Sequence, residues 1–287
     1  DYYAALCGFE LFNNDVEYQL NNFVKKYPSD SKAKKINFQI GKLEYQKRRY
    51  SKAVKAFEKV NVNDLTADEK TEYYFITGYC YLKHNELEKA NQAFLNIKDI
   101  KSKYSSAVNY YYAHIAYVKK NYQEALQGFK SLENDRVFKK IVPYYLIQIY
   151  YLQGNYDEVI NIGEPLLKGN SKKKSEIYRL VGEAYYRNLN YQKSIPFFEE
   201  YLKNTNNNIS ANTYYILGFA YYQNKEYKNA IDNFSRAVGE NDSLAQNAFY
   251  HLGFSYLKTN EKQFASNSFL SAYKLGFDKE IKEDALF

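Results

Sequence analysis

Apolar and small residues along the chain recur with helical spacing in pairs of short segments. Residues 212–224 and 226–238 form one such pair. In both, the apolar positions follow i, i+3, i+4 and i+7, which places them on one face of a helix. In the first segment these are Tyr214, Leu217, Gly218 and Tyr221, and in the second they are Tyr227, Ala230, Ile231 and Phe234. The residues QNKE between the segments have a turn-forming composition. The pattern therefore predicts an α-helical hairpin.

The same pattern recurs every 34 to 37 residues, and three columns keep one register. A column of mostly small residues contains Gly41, Gly78, Ala113, Ile147, Gly182, Gly218 and Gly253. A second column, twelve residues later, contains Ala53, Ala90, Ala125, Val159, Ser194, Ala230 and Ala265. Four residues further on stand Phe57, Phe94, Phe129, Gly163, Phe198, Phe234 and Phe269. We expect Gly218 and Ala230 to meet where the two helices cross, and Phe234 to fill the space towards the next hairpin. One hairpin cannot bury its apolar face alone, so the hairpins must stack.

These columns resemble the tetratricopeptide repeat family, whose unit is a helix-turn-helix of about 34 residues. The match is carried by Tyr214, Leu217-Gly218, Tyr221, Tyr227, Ala230, Phe234 and Ala237, and equivalent residues follow in 249–273 and 178–201. The resemblance implies an all-α, right-handed superhelical solenoid. We predict a single array of about eight repeats over 1–287. Its repeats are 1–33 (degenerate), 34–70, 71–105, 106–139, 140–174, 175–210, 211–245 and 246–280, with the start of a further helix at 281–287. The repeat around 145–167 departs most from the pattern.

The two ends of the chain add further expectations. The tyrosine-proline break at Tyr27-Pro28 is also typical of bacterial cell-envelope members of this family, so the resemblance indicates the periplasm or cell envelope. The last segment, 279–287 (KEIKEDALF), starts a further first helix and ends with Ala285, Leu286 and Phe287 uncovered. Solenoids normally end in a polar capping helix. We therefore expect the native protein to continue beyond Phe287.

Composition excludes several classes of protein. No apolar run is long enough for a transmembrane helix. The formal net charge is +7, from 40 basic and 33 acidic residues. We interpret it as a mild excess spread along the chain, and the run 171–175 (SKKKS) as a solvated loop. Cys7 and Cys80 form no disulfide framework, and we expect both to be small buried hydrophobic residues.

The sequence contains no recognisable catalytic constellation. His84, His114 and His251 lie in different repeats and are not at metal-ligand spacing with a cysteine or a carboxylate. Phosphate-binding and dinucleotide-binding glycine motifs are also missing from the sequence. We therefore predict a protein that is not an enzyme and has no catalytic residues, metal or cofactor.

The family resemblance implies that positions 5, 9 and 12 of each repeat face a concave groove, with the small column as position 8. Aromatic residues fill fourteen of these 21 places. They are Phe38, Tyr45, Phe75, Tyr79, Tyr110, Tyr117, Tyr144, Tyr151, Tyr186, Tyr215, Phe219, Tyr222, Tyr250 and Phe254. Tyrosine combines a large apolar face with a polar tip, which suits peptide recognition. We predict a protein-binding scaffold that holds a peptide or helix of a partner protein in this groove. The alternative is that many of these rings pack against the neighbouring repeat and expose only their edges.

Other partners and architectures fit the sequence less well. Lysine and asparagine do not stand at positions 5 and 9, which argues against the carboxylate clamp used by family members that bind chaperone termini. Interleaved aromatic and basic residues can bind nucleic acid, and helical repeats can bind RNA. However, the groove positions contain only Lys42 and Arg179 as basic residues, which argues against nucleic acid. A further alternative is the adaptor portion of a longer protein whose activity lies elsewhere.

Overall fold

The computed structural model describes residues 2–10, 15–28, 30–169, 172–205, 208–239 and 241–286. Every regular element in these residues is a helix. The predicted all-α fold class is therefore confirmed. The chain divides into two compact units, Asp1–Val142 and Pro143–Phe287, and each is described by itself. The prediction of one continuous array over 1–287 stays a prediction.

Most helices pair as hairpins of a first and a second helix. The first unit contains α1 (Tyr2–Glu10), α2 (Val16–Lys26), α3 (Ser31–Gln46), α4 (Tyr50–Phe57), a 3₁₀ helix (Val62–Asp64), α5 (Ala67–Lys83), α6 (Leu87–Leu95), α7 (Ser105–Val118) and α8 (Tyr122–Lys130). The second contains α9 (Val142–Leu152, beginning at the boundary), α10 (Tyr156–Leu167), α11 (Lys174–Arg187), α12 (Tyr191–Asn204), α13 (Ala211–Gln223), α14 (Tyr227–Ala237), α15 (Ser243–Lys258), α16 (Lys262–Leu275) and α17 (Lys279–Asp284). From α3 to α16, each odd-numbered helix is the first helix of a hairpin and the next is its second.

Several first helices begin at a polar side chain that caps free backbone N–H groups. Thr66 and Glu69 form a reciprocal capping box at the start of α5. The Ser210 side chain accepts a bond from the Thr213 N–H at α13, and the Asp242 side chain accepts one from the Ala245 N–H at α15. These caps fix where the first helices start, and hence which residues face the neighbouring hairpin.

The turn inside each hairpin has one backbone geometry. Its central residue has a φ between 57° and 76° in all seven hairpins. These residues are Arg48, Asn85, Lys120, Gly154, Leu189, Lys225 and Asn260. The next N–H donates to a carbonyl five residues earlier, as Asn190 does to Tyr185 at 2.9 Å and Glu226 to Tyr221 at 2.9 Å. This is the Schellman arrangement, which satisfies the last carbonyl groups of the first helix.

Replacing Leu189 with glycine is expected to stabilise the protein by about 0.5–1 kcal/mol. Leu189 has a φ of 58°, which is unfavourable for a residue with a Cβ, and its side chain is 70% exposed and has little packing to lose. The control is the opposite substitution, Gly154→Ala, at the same turn position of another hairpin. A Cβ there has no atom within 4 Å, so only the backbone strain at φ 76° acts, and a loss of about 1 kcal/mol is expected. Urea unfolding measures both, and the same sign for the two variants would contradict the argument.

The small column makes room for the phenylalanine column of the same hairpin. A Cβ built on Gly218 would lie 2.9 Å from Phe234 Cδ1, and all three of its nearest atoms belong to that ring. On Gly78 it would lie 2.8 Å from Phe94. The nearest side chain to this position of Gly218 is therefore Phe234, and the expected contact between Gly218 and Ala230 stays a prediction. Phe234 also lies 5.7 Å from the His251 ring of the next hairpin, so it links successive hairpins as predicted.

The atypical fourth hairpin keeps the same turn but packs differently. Gly163 stands where the other hairpins have phenylalanine, and a Cβ on it would collide with the Val181 side chain of α11. Gly163 thus lets α10 and α11 approach closely. Pro196 lies within α12, yet this helix continues to Asn204, so the proline does not shorten it.

Candidate functional site

Thirteen of the fourteen aromatic residues predicted to line a groove are partly buried. Phe38 differs, because its side chain is only 1% exposed and packs 6.0 Å from the Phe57 ring. Lys42 covers it, with Nζ 5.5 Å from the ring centroid. Phe38 is therefore a core residue and is not accessible to a partner. For the other thirteen, the role in binding a partner stays a prediction.

In the first unit, these rings form clusters where neighbouring hairpins meet. The Tyr79 ring of α5 lies 5.6 Å from Tyr45 and 5.8 Å from Tyr50, both of the preceding hairpin. It also lies 5.3 Å from Tyr111 of the following hairpin. Phe75 stacks on Tyr104 at 4.3 Å. The first helices α3, α5 and α7 are thus joined by a row of rings in contact.

The second unit repeats this arrangement on α11, α13 and α15. Phe219 lies 6.0 Å from Tyr186 and 5.7 Å from Tyr191 of the preceding hairpin, and 5.1 Å from His251 of the following one. Tyr222 lies 6.0 Å from the same histidine ring. Many of these rings therefore pack against the neighbouring repeat, which is the alternative interpretation of the sequence given above. We call these two rows of rings, one in each unit, the aromatic faces.

The tyrosine that begins most second helices also belongs to the aromatic faces. Each packs on the ring five residues earlier, at 5.6 to 6.2 Å. The pairs are Tyr45–Tyr50, Tyr117–Tyr122, Tyr151–Tyr156, Tyr186–Tyr191 and Tyr222–Tyr227. The second tyrosine of each pair is not among the groove positions predicted from the sequence. The constant spacing of five residues between the two tyrosines is the sequence signal that identifies the second one.

Charged clusters interrupt both aromatic faces. In the second unit, Arg179 donates to Glu183 and Glu176, each at 2.5 Å, and the Tyr151 hydroxyl donates to Glu183. Glu183 is only 7% exposed, and these bonds supply the partners that a buried polar group needs. In the first unit, Lys42 pairs with Glu72 at 2.9 Å, and the Tyr104 hydroxyl donates to the same carboxylate. A bound partner would thus meet aromatic surface on both sides of a charged cluster.

Burial keeps the tyrosine hydroxyls of the aromatic faces protonated. It raises the pKa of Tyr45 and of Tyr111 to about 12. The pKa of Tyr151 rises to about 12 through burial, assisted by its bond to Glu183. The pKa of Tyr215 rises further, mainly through burial. These hydroxyl groups remain neutral donors at physiological pH, so the aromatic faces gain no negative charge from tyrosine.

A cleft of about 590 Å³ lies beside the last hairpin. It is bordered by Phe254 and Leu257 of α15, by residues of α16 such as Phe269, and by Leu286 after α17. Leu257 is 47% exposed. It occupies the same repeat position as Tyr222, so the aromatic face of the second unit reaches this cleft.

The described residues contain no group of histidine, cysteine and acidic side chains that could hold a metal ion. None of the helices in the described part of the chain is both long and apolar enough to cross a bilayer. Cys80 is buried, and burial raises the pKa of its thiol to about 12. Cys7 is exposed, so the expectation that both cysteines are buried is wrong for this residue.

The fold and these faces define a protein built from stacked helical hairpins, whose first helices present aromatic rings. Residues 38–105 match the family model of the tetratricopeptide repeat. This match supports tetratricopeptide repeats in this part of the chain. A search of curated proteins found no match.

Several solved structures share the fold. The C-terminal part of a tetratricopeptide repeat-containing protein from Cytophaga hutchinsonii superposes with a TM-score of 0.63 at 17% identity, covering 87% of this chain and 99% of that one. YrrB, described as a repeat protein with an unusual peptide-binding site, gives a TM-score of 0.57 at 15% identity, over 68% of this chain and 98% of YrrB. MamA gives 0.53 at 19% identity, over 61% and 93%. Identities this low establish the fold alone.

Proposed function

We propose that this protein is a non-enzymatic scaffold that binds a peptide or helix of a partner protein on its aromatic faces. The observation that carries the proposal is the row of partly buried rings on successive first helices in each unit. Rings held by their neighbours lose little entropy when a partner covers them. Proteins of this repeat family generally act as scaffolds, and YrrB is a structural neighbour described as having a peptide-binding site.

The ring contacts also decide which substitutions can test binding. Tyr215 lies 5.8 Å from Phe234 and 6.0 Å from His251, so its loss would disturb the hairpin junction. Leu257 is a better target, because it occupies position 12 and is 47% exposed, and Leu82 is its partly buried counterpart in the first unit. Their replacement by lysine puts a charge on each aromatic face and leaves the rings in place.

We expect the variant Leu82→Lys/Leu257→Lys to lose its partner while keeping its helicity. The matched control is Leu95→Lys/Leu189→Lys, which adds the same charge at a second helix and a turn. Leu95 is 48% exposed, close to the 47% of Leu257, and lysine already occupies the Leu189 turn position at Lys120 and Lys225. The measurement is quantitative affinity capture from native cells, with circular dichroism as the folding check. Unchanged capture by the first variant, or equal loss by the control, would rule out the aromatic faces as the binding site.

We further propose that the protein is of the bacterial cell-envelope type. The tyrosine-proline break at Tyr27-Pro28 supports this assignment. Fractionation of native cells tests it, and recovery of the protein in the cytoplasmic fraction alone would contradict it.

A further inference from the structure

The positive charge of the chain is concentrated in one short segment. Residues 25–59 contain twelve lysine and arginine residues but only three acidic ones, although the whole chain has a net charge of +7. Outside this segment acidic residues are therefore in slight excess, and residues 143–287 contain sixteen of each sign. The interpretation of an excess spread along the chain is thus wrong. The segment contains the end of α2, all of α3, all of α4 and the first two residues after it.

Helix α4 and the turn that follows it present three of these lysines on one side. Lys52, Lys55 and Lys59 follow i, i+3 and i+7 spacing, and all three are exposed. The opposite side of α4 is buried through Ala53, Ala56 and Phe57. The described ion pairs of the α3–α4 hairpin use Lys42, Lys47 and Arg49. Among the described residues, the three lysines of α4 have no acidic partner, so their charges face solvent.

Some basic residues outside this segment pair with an acidic neighbour. Lys89 pairs with Glu86 at 2.5 Å, and Lys119 pairs with Glu88 at 2.8 Å. In the second unit, Lys203 pairs with Glu200 at 3.0 Å, and Arg236 pairs with Asp232 at 3.2 Å. Segment 25–59 differs from the rest of the chain in its local charge balance, with twelve basic residues against three acidic ones.

The same part of the chain also has the exposed tyrosines. Of the 34 tyrosines, those with exposed side chains in the described residues are Tyr3, Tyr18 and Tyr27, which are 72%, 72% and 38% exposed. The other described tyrosines are buried or partly buried. Lys26 lies 5.2 Å from the Tyr27 ring and Lys32 lies 5.9 Å from the Tyr3 ring, so these tyrosines stand beside basic residues.

We propose that this basic surface, formed by α4 and the exposed tyrosines of the preceding helices, docks on an anionic lipid bilayer. Lysines on a broad surface are attracted to anionic headgroups without a fixed register. Tyrosine is enriched at the membrane–water interface, where its ring and hydroxyl meet apolar and polar surroundings. The two features occur together in this one part of the molecule.

Single-stranded nucleic acid fits the same residues less well. It needs rings that stack successive bases along a basic groove. Tyr18 and Tyr27 stand near opposite ends of α2, which separates them by roughly 14 Å along the helix axis. They therefore do not form a continuous stacking row. The lysines of α4 also lie on the side of the helix opposite its buried residues.

The bilayer surface and the aromatic faces use different helices. The lysines lie on the exposed side of α4, whereas the aromatic face of the first unit lies on the first helices α3, α5 and α7 and reaches α4 only at Tyr50. A bilayer and a protein partner could therefore be bound at the same time. The inference does not depend on the proposed scaffold function.

The test is sedimentation of the full chain with phosphatidylcholine vesicles that contain or lack phosphatidylserine. We expect binding only to the vesicles with phosphatidylserine, and a decrease as salt is added. The variant Lys52→Glu/Lys55→Glu/Lys59→Glu should bind at least about 100-fold more weakly. The control Lys172→Glu/Lys228→Glu/Lys262→Glu makes the same charge change at exposed lysines of the second unit and should bind like the unmodified protein.

Three results would overturn the proposal. The first is the absence of phosphatidylserine-dependent binding by the unmodified chain. The second is an equal loss in the two triple variants, because net charge alone would then explain binding. The third is salt-sensitive binding to a single-stranded oligonucleotide without binding to vesicles. Circular dichroism of both variants distinguishes a lost surface from a lost fold.

Discussion

Replacement of Phe234 by alanine is expected to destabilise the protein by about 3–5 kcal/mol, the range for a large aromatic residue removed from a core. The Phe234 side chain is fully buried. Its ring lies 5.8 Å from Tyr215 of its own hairpin and 5.7 Å from His251 of the next one. Its loss therefore weakens both the hairpin and the stacking on which a repeat protein depends. Urea unfolding of the full chain measures the effect.

The matched control for this prediction is Phe277→Ala. Phe277 is 56% exposed, so removal of its ring should change stability by no more than about 0.5 kcal/mol. If the two variants lost equal stability, the phenylalanine column would not be the core of the hairpins.

A double-mutant cycle with Gly218 tests the contact itself. In the unmodified protein, Gly218→Ala places a Cβ 2.9 Å from the Phe234 ring, and a loss of about 1–2 kcal/mol is expected. When Phe234 is already alanine, the space is free and the same change should be neutral or stabilising, because alanine favours helix over glycine by about 1 kcal/mol. Additive effects would show that the ring does not occupy the space above Gly218.

The helical hairpins could be predicted because their signals are local. The spacing of Leu217, Gly218 and Tyr221 lies within one helix, and the small and phenylalanine columns repeat in a fixed register. The turn conformation was harder to predict, because a positive φ is normally inferred from glycine. Gly154 is the single glycine in that column, and Leu189 and Arg48 adopt the same conformation. The Schellman hydrogen bonds hold these residues there.

The aromatic faces could be predicted only as columns of residues. The family resemblance proposed the positions of Tyr79 and Phe219, but the depth of each ring depends on residues more than 30 positions away. Tyr79 meets Tyr45 and Tyr111, and Phe219 meets Tyr186 and His251, which no single repeat reveals. The burial of Phe38 arises within its own hairpin, where Lys42 and Phe57 cover its ring.

Stability is expected to fall as the pH is lowered from about 6.5 to about 4, because His251 must be neutral in the folded protein. Burial lowers the pKa of His251 to about 4, whereas an unfolded chain has a histidine pKa of about 6.5. The unfolded state therefore takes up the proton first as the pH falls. The resulting loss is about 2 kcal/mol at pH 5 and about 3 kcal/mol at pH 4, and it vanishes above about pH 7.

The variant His251→Phe isolates this contribution from the carboxylates that also titrate at low pH. Between pH 7 and pH 5, the unmodified protein should lose about 2 kcal/mol more than the variant in urea unfolding. Equal pH dependence in the two proteins would show that His251 does not control acid stability.

The aromatic rings around His251 determine how a different result should be interpreted. Five aromatic rings lie within 6.0 Å of its centroid, those of Phe219, Tyr250, Phe234, Tyr215 and Tyr222. Ring faces attract a cation by about 0.5–2 kcal/mol, whereas burial of an unpaired charge costs more. Desolvation should therefore dominate and keep the imidazole neutral. An NMR titration that placed the pKa of His251 above 6.5 would show that attraction by the rings outweighs desolvation. The rings would then hold the protonated histidine, and the aromatic face of the second unit would contain a positive charge at its centre.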